Sequence, residues 1–144
     1  MVRFKNRYLL VELCWSDRPA DGLSEASLTQ CIRDSLLTAT GSMGLGCAMS
    51  SLQVKYYNPF TRLAVVRCDR EAYEQVWLTM SMMREVQHRR VTPKLLQVAG
   101  TSESCRAKAA ALVARAMCAC AATLPPHQRA HAASHQQRLV AQEL

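Results

Sequence analysis

Three basic side chains alternate near the start of the chain, where Arg3, Lys5 and Arg7 are separated by single residues. In an extended segment, alternate side chains project on the same side, about 6–7 Å apart. That spacing is comparable to the spacing of phosphates along one nucleic-acid strand, and no acidic residue precedes Glu12. The pattern predicts contacts with a phosphate backbone, whereas a solvated, frayed terminus is the alternative that applies to any protein.

More basic residues lie on two predicted strands in the middle of the chain, where they could add charge across an open sheet face. The candidate RNA-binding residues are therefore Arg3, Lys5, Arg7, Lys55, Arg62 and Arg67. The segment from Arg62 to Cys68 contains no aromatic residue, so it lacks the base-stacking platform of RNA-recognition domains. Any RNA binding is thus expected to depend on charge and shape.

The remaining reactive residue types do not form a recognisable catalytic or metal-binding motif. Cys118-x-Cys120 is followed by three histidines, but the spacing matches no standard zinc motif (His127, His131 and His135). The chain contains no paired-carboxylate motif and no G-x-S-x-G motif. We therefore expect no metal, no cofactor and no catalytic residues.

Composition indicates a folded, basic protein. The chain has 144 residues, of which 49% are hydrophobic, and its net charge is +7. This charge favours nucleic acid first and an acidic membrane or protein surface second. The seven cysteines follow no signal peptide and are interpreted as free thiols in a reducing compartment. Those other than Cys118 and Cys120 are expected at apolar positions, where they act as small buried hydrophobes. No segment is apolar over the roughly 18 residues that a membrane span needs, so we expect no membrane contact.

The first half of the chain predicts a strand, a helix and a hairpin. Arg7–Trp15 alternates as a strand, and Ser24 is placed to cap a helix that runs to Thr40 and closes at Gly41. Gly41-x-x-Gly44-x-Gly46 is interpreted as a flexible connection, because its spacing is not that of a phosphate loop. Two strands joined by a turn then form a hairpin (51–57, 58–61 and 62–68).

The second half predicts two further helices around one strand. Asp69 is expected to cap a helix that ends at His88-Arg89-Arg90, with its core face held by Tyr73, Trp77 and Met80. A short edge strand covers 94–99 after Pro93. Thr101 or Ser102 can cap a third helix with a buried stripe (Cys105, Ala109, Leu112, Val113 and Ala116).

The order of elements predicts an α+β fold. A ferredoxin-like, RNA-recognition-like βαββαβ arrangement gives an antiparallel sheet with two helices on one face, plus a C-terminal helix. The other face is left for a partner, for RNA or for the third helix. We expect one domain over residues 1–118 and a peripheral tail over residues 119–144, set off by Pro125-Pro126.

Four motifs in order carry a resemblance to one family. They are Val2–Leu10 with Glu12-Leu13, Val54-Lys55-Tyr56 with Asn58 and Thr61, Val66–Glu71 with Val76-Trp77, and Leu96–Thr101 with Cys105. Over about residues 1–118 the chain resembles the Pop-five family of protein subunits of ribonuclease P and ribonuclease MRP.

The resemblance implies a non-catalytic, RNA-binding subunit of a ribonucleoprotein. In that family the RNA carries the chemistry, which removes the 5′ leader of precursor tRNA in ribonuclease P and processes ribosomal RNA precursors in MRP. The protein would stabilise the catalytic RNA and would pair with the thirty-kilodalton subunit and other particle proteins, in the nucleus and nucleolus.

Two other hypotheses remain open from the residues. One is a protein–protein adaptor of the same fold without direct RNA contact, whose charge only maintains solubility. The other is a small metal- or thiol-dependent regulatory domain built on the tail. RNA binding predicts affinity that falls steeply with salt, whereas an adaptor would bind its partner equally well at high salt.

Overall fold

The computed structural model describes residues 5–120 and residue 126, and the side chains of residues 116–120 are outside that description. The strands are β1 (Asn6–Trp15), β2 (Gln53–Asn58), β3 (Leu63–Asp69), β4 (Glu85–Val86) and β5 (Arg89–Ala99), and the helices are α1 (Glu25–Met49), α2 (Tyr73–Met82) and α3 (Ser102–Cys120). The strand order is β2-β3-β1-β5-β4, with every neighbouring pair antiparallel. The predicted α+β, ferredoxin-like arrangement is confirmed. No helix among the described residues is long and apolar enough to cross a membrane.

The alternation of β1 separates two cores, one on each face of the sheet. Leu9 and Val11 point to the layer formed by α1 and α2, where Ile32 and Met80 are also buried. Tyr8 and Leu10 point the other way. The strand is buried on both faces because both faces are covered by helices.

The second face is covered by α3. Cys105, Ala109 and Val113 of this helix are fully buried against Leu10 and Val65 of the sheet. Of the three occupants that the sequence leaves open for this face, the third helix is therefore the one that covers its centre. The predicted stripe of α3 is confirmed for these three residues, and Leu112 is half-buried beside them.

The predicted cap of helix α1 is confirmed, whereas its predicted end is wrong. The Ser24 hydroxyl accepts a hydrogen bond from the Ser27 amide at 3.2 Å. The helix is interrupted at Gly41, whose φ of 72° is outside the helical region. The expected flexible link is wrong, because helix resumes after Gly41 and runs to Met49, held to the core by buried Ala48 and half-buried Leu45. Gly44 fits because a β-carbon there would collide with the Thr40 side chain.

A β-bulge in β2 breaks the expected alternation of this strand. Val54 pairs with Val66 and Tyr56 with Val65, so Lys55 has no partner on β3. As a result Tyr57 joins Val54 in the core under α1 and α2, while Tyr56 belongs to the core under α3.

The turn after β2 is where the sequence places it. The carboxamide oxygen of Asn58 accepts a hydrogen bond from the Phe60 amide at 2.9 Å, a local bond typical of asparagine in turns.

The region from 69 to 99 differs most from its prediction. Asp69 does not cap α2 with its side chain; the first cap position is Ala72, whose amide donates to the Asp69 carbonyl oxygen at 3.2 Å. The helix ends at Met82, and the basic segment turns into the β4–β5 hairpin, with Gln87 and His88 both at positive φ. Strand β5 therefore begins at Arg89.

Two residues in this region take places other than those predicted. Pro93 lies inside β5, opposite Leu13. It is tolerated because β5 beyond Arg90 has no second neighbouring strand among the described residues. The core face of α2 consists of fully buried Val76 and Met80, whereas Trp77 is only half-buried.

Candidate nucleic-acid interface

A cleft of about 400 Å³ lies where β1 begins and α3 begins. It is lined by Lys5, Arg7 and the segment Gly100–Ser102, together with Asn6 and Tyr8. Antiparallel pairing of β1 with β5 brings these segments together, since Tyr8 lies opposite Ala99 and α3 follows directly. We call this surface the amino-terminal cleft.

The electrostatics of the amino-terminal cleft favour an anion. Free amides at a helix start carry a partial positive charge. Thr101 satisfies one of them, because its hydroxyl accepts a hydrogen bond from the Ser104 amide at 3.3 Å. The exposed Lys5 and half-buried Arg7 add two full charges at the same place. Among the described residues, the Arg7 side chain donates only to the adjacent Asn6 carbonyl oxygen, at 3.2 Å.

Arg67 lies beside this cleft on the neighbouring strand, directly opposite Tyr8. It lines a second cleft of about 650 Å³, together with Arg33 of α1. Arg33 donates to the Leu52 carbonyl oxygen at 3.2 Å. The Nε atoms of both arginines are buried and have no hydrogen-bond partner within the described part of the chain. Sequence reasoning missed Arg33, whose helical position shows no charge pattern.

The other predicted residues are not brought into one surface with these. Lys55 occupies the bulge in β2 and is half-buried. Arg62 is exposed at the end of the β2–β3 turn, with φ of 61°, and its carbonyl oxygen accepts from the Leu13 amide at 2.8 Å. It is therefore at the far end of β1 from the amino-terminal cleft. Arg3 lies outside the described residues.

None of the lysine and arginine side chains of residues 5–115 forms an ion pair with an acidic side chain in that range. The ion pair found there joins His88 Nδ1 and Glu85 Oε1 at 3.4 Å and requires a protonated imidazole. The Glu74 carboxylate accepts a hydrogen bond from the Tyr73 hydroxyl at 3.1 Å. This bond raises the pKa of Tyr73, whereas the charges of Arg7 and Arg70 act to lower it. The basic side chains are thus not neutralised within this range.

The hairpin between β4 and β5 carries basic residues, of which Arg89 and Arg90 were predicted at the end of a helix and Lys94 at the start of a short strand. Arg84, Arg90 and Lys94 are exposed, and Arg89 is half-buried. The available signal was the alternation in Arg90-Val91-Thr92-Pro93-Lys94, which is typical of a strand with one polar face.

The thiols among the described residues are free. Burial raises the pKa of Cys68 to about 12 and that of Cys105 to about 11, so both remain protonated at neutral pH. The expectation of buried thiols is confirmed for these two and is wrong for Cys47, which is exposed.

Within the described residues, no three histidine, cysteine or acidic side chains are grouped closely enough to hold a metal ion. The side chains of Cys118 and Cys120 and all three tail histidines lie outside the described residues.

Sequence comparison associates the chain with one family. The model of the Rpp14/Pop5 family matches residues 7–110. A probable ribonuclease P/MRP protein subunit POP5 from Arabidopsis thaliana is 40% identical over 114 residues, which cover 74% of this chain and 75% of the relative. The subunit of that name from Schizosaccharomyces pombe is 32% identical over 111 residues, covering 70% of this chain and 80% of the relative.

Structural comparison supports the fold. One chain in a cryo-EM structure of yeast ribonuclease MRP matches with a TM-score of 0.54 and 13% identity, covering 71% of this chain and 79% of that one.

Proposed function

The chain belongs to the Rpp14/Pop5 family, and on that premise we propose that it is an RNA-binding protein subunit of ribonuclease P and ribonuclease MRP. The relatives are named as protein subunits of these particles. The family resemblance implies that the RNA carries the chemistry, which is 5′-leader removal from precursor tRNA and processing of ribosomal RNA precursors. The chain itself would then be non-catalytic and would stabilise the folded RNA.

The observation that carries RNA contact is the amino-terminal cleft. Lys5, Arg7 and the start of α3 present positive charge to one space, and neither side chain is paired with an acid of the described range. A helix start with adjacent cations suits a phosphate group, because the amides and the cations act on the same anion. We place Arg67 beside this contact and keep Arg3, Lys55 and Arg62 as further candidates.

The family also suggests partners and a location for the chain. We propose that it pairs with the thirty-kilodalton subunit and other particle proteins, in the nucleus and nucleolus. The adaptor hypothesis differs in one respect, since an adaptor would join the particle through protein contacts alone.

A tagged pull-down with sequencing of the bound RNA tests membership of the particle. Recovery of ribonuclease P or MRP RNA is the expected result, and protein partners without RNA would favour the adaptor.

The site is tested by the salt dependence of binding to a transcript of ribonuclease MRP RNA. The slope of log K against log salt is negative, and each lost phosphate contact reduces its magnitude by about 0.7–0.9, so Lys5→Ala/Arg7→Ala should reduce that magnitude by about 1.4–1.8. Lys108→Ala/Arg115→Ala removes the same charge from exposed positions of α3 and should change the slope little. A folded Lys5→Ala/Arg7→Ala variant with an unchanged slope would move the RNA surface elsewhere.

A further inference from the structure

We propose that the β4–β5 hairpin is a second contact for an RNA backbone, separate from the amino-terminal cleft, so that the chain bridges two segments of one RNA. The inference rests on the proposed function and adds to it a surface and a bridging role. We call this surface the hairpin patch; it consists of Arg84, His88, Arg90 and Lys94, all of them exposed.

Two residues of the hairpin patch share one face of β5. Arg90 and Lys94 are four residues apart, which places them about 13 Å from each other along the strand. The residues between them alternate, since Val91 and Pro93 are buried and Thr92 is exposed. The exposed face of this segment is therefore polar and basic throughout, with no apolar side chain that would suit a protein core.

The acids near the hairpin patch do not neutralise it. Glu85 lies opposite Arg90 in the register, yet its carboxylate contacts His88 at 3.4 Å. Glu12 lies opposite Lys94 on β1, and the two form no ion pair. The strand pairing thus brings acids close to both cations without pairing them. Arg84, Arg90 and Lys94 thus remain without an ion pair among the described residues, and an RNA backbone, which the proposed function supplies, has the complementary charge.

The turn end of the hairpin patch and the amino-terminal cleft are at opposite ends of β1, with Lys94 between them, opposite Glu12. Tyr8 lines the cleft and pairs with Ala99, whereas Trp15 pairs with Val91 at the base of the hairpin. Trp15 is seven positions after Tyr8 in β1, which corresponds to about 23 Å. That distance is several phosphate spacings, so one phosphate cannot satisfy both ends. An RNA that contacts both must extend along the sheet or present two backbone segments.

The test uses the full chain and a transcript of ribonuclease MRP RNA. Arg90→Gln/Lys94→Gln should reduce the magnitude of the slope of log K against log salt by about 1.4–1.8, which is roughly 25- to 60-fold weaker binding at about 0.1 M salt. Combined with Lys5→Ala/Arg7→Ala, the loss should roughly double, because a bridged RNA occupies both surfaces at once. The control Lys108→Gln/Arg115→Gln removes the same charge from α3 and should leave the slope nearly unchanged.

Each other outcome overturns the inference in a distinguishable way. If Lys5→Ala/Arg7→Ala flattens the slope and Arg90→Gln/Lys94→Gln does not, the hairpin contact is wrong and the proposed function stands. If the combined variant loses no more than either alone, the two surfaces do not act together. An equal loss in the α3 control would mean that only net charge matters. Weaker capture of particle proteins with an unchanged RNA slope would make the patch a protein contact. Absence of salt-dependent RNA binding by the unmodified chain would overturn the proposed function as well.

Discussion

The hydroxyl of Thr29 on α1 accepts a hydrogen bond from the backbone amide of Val54, at 3.0 Å. The same hydroxyl donates to the Glu25 carbonyl oxygen at 2.7 Å. Because β2 is an edge strand in the described part of the sheet, this bond satisfies an amide that no other described strand pairs with, and it joins the helical layer to the edge of the sheet.

Replacement of Thr29 by Val should therefore destabilise the fold. The substitution keeps the side-chain shape but leaves the buried Val54 amide without an acceptor, which costs about 1–3 kcal/mol of unfolding free energy. Thr38 is the matched control, since it makes the same bond to the carbonyl oxygen four residues earlier but is exposed. Thr38→Val should change stability by less than about 0.5 kcal/mol. Equal denaturation midpoints for the two variants would show that the Thr29–Val54 bond contributes nothing.

Deletion of Lys55 should preserve the fold, because this residue is the extra one in the β-bulge. Without it, Val54, Tyr56 and Tyr57 would alternate as an ordinary strand and keep the faces they now occupy. Deletion of Ala64 on the unbulged partner β3 is the comparison. It would turn every later β3 side chain to the opposite face and should abolish folding. Circular dichroism and thermal melting of both deletions check this; unfolding of the Lys55 deletion would contradict it.

Alanine at two glycines of α1 should have opposite effects. Gly41 has φ of 72°, and Gly46 lies in the helical segment after it; a β-carbon meets no atom within 4 Å at either position. Gly41→Ala should cost about 1–2 kcal/mol, because only backbone strain changes. Gly46→Ala should stabilise by about 0.5–1 kcal/mol through lower unfolded-state entropy. Urea denaturation measures both. If both substitutions changed the unfolding free energy in the same direction, the left-handed backbone at Gly41 would not be required.

The core face of α2 can be tested with a neighbouring pair. Met80 is 1% exposed and Leu78 is 61% exposed. Met80→Ala should lower the unfolding free energy by about 2–5 kcal/mol, and Leu78→Ala should change it by less than about 0.5 kcal/mol. Trp77→Ala should lower the unfolding free energy by less than the roughly 3–5 kcal/mol expected for a fully buried tryptophan, because this side chain is half-buried. A larger loss for Leu78→Ala than for Met80→Ala would contradict this packing.

Removal of residues 123–144 should leave RNA association of the chain largely unchanged. The family match ends at residue 110, before this segment begins. The division at residue 118 stays a prediction, and the truncation tests it with the same pull-down. Loss of the particle RNA on truncation would revive a role for the Cys118–Cys120 and histidine group.

Local patterns were enough to predict most of the elements. The alternation of β1, the Ser24 cap and the stripe of α3 each depend on residues close together in sequence, so periodicity and cap chemistry identify them. The family resemblance is also a property of order and spacing in the sequence. Lys5 and Arg7 are likewise distinguished by their charge and alternation alone, both of which are local properties of the chain.

Other features depend on contacts between distant segments and were decided only by the tertiary structure. The bulge at Lys55 lets Val54 and Tyr57 fill the same core although they are three residues apart, which regular alternation does not allow and the local sequence does not reveal. The hairpin at Gln87-His88 uses two left-handed residues without glycine or asparagine, so its turn signal is absent from the sequence. The amino-terminal cleft arises because strand pairing places Tyr8 opposite Ala99 and so sets the start of α3 beside Arg7. Charge was visible in the sequence, but the position of each charge relative to the others depends on strand register, which is a long-range property of the packed sheet.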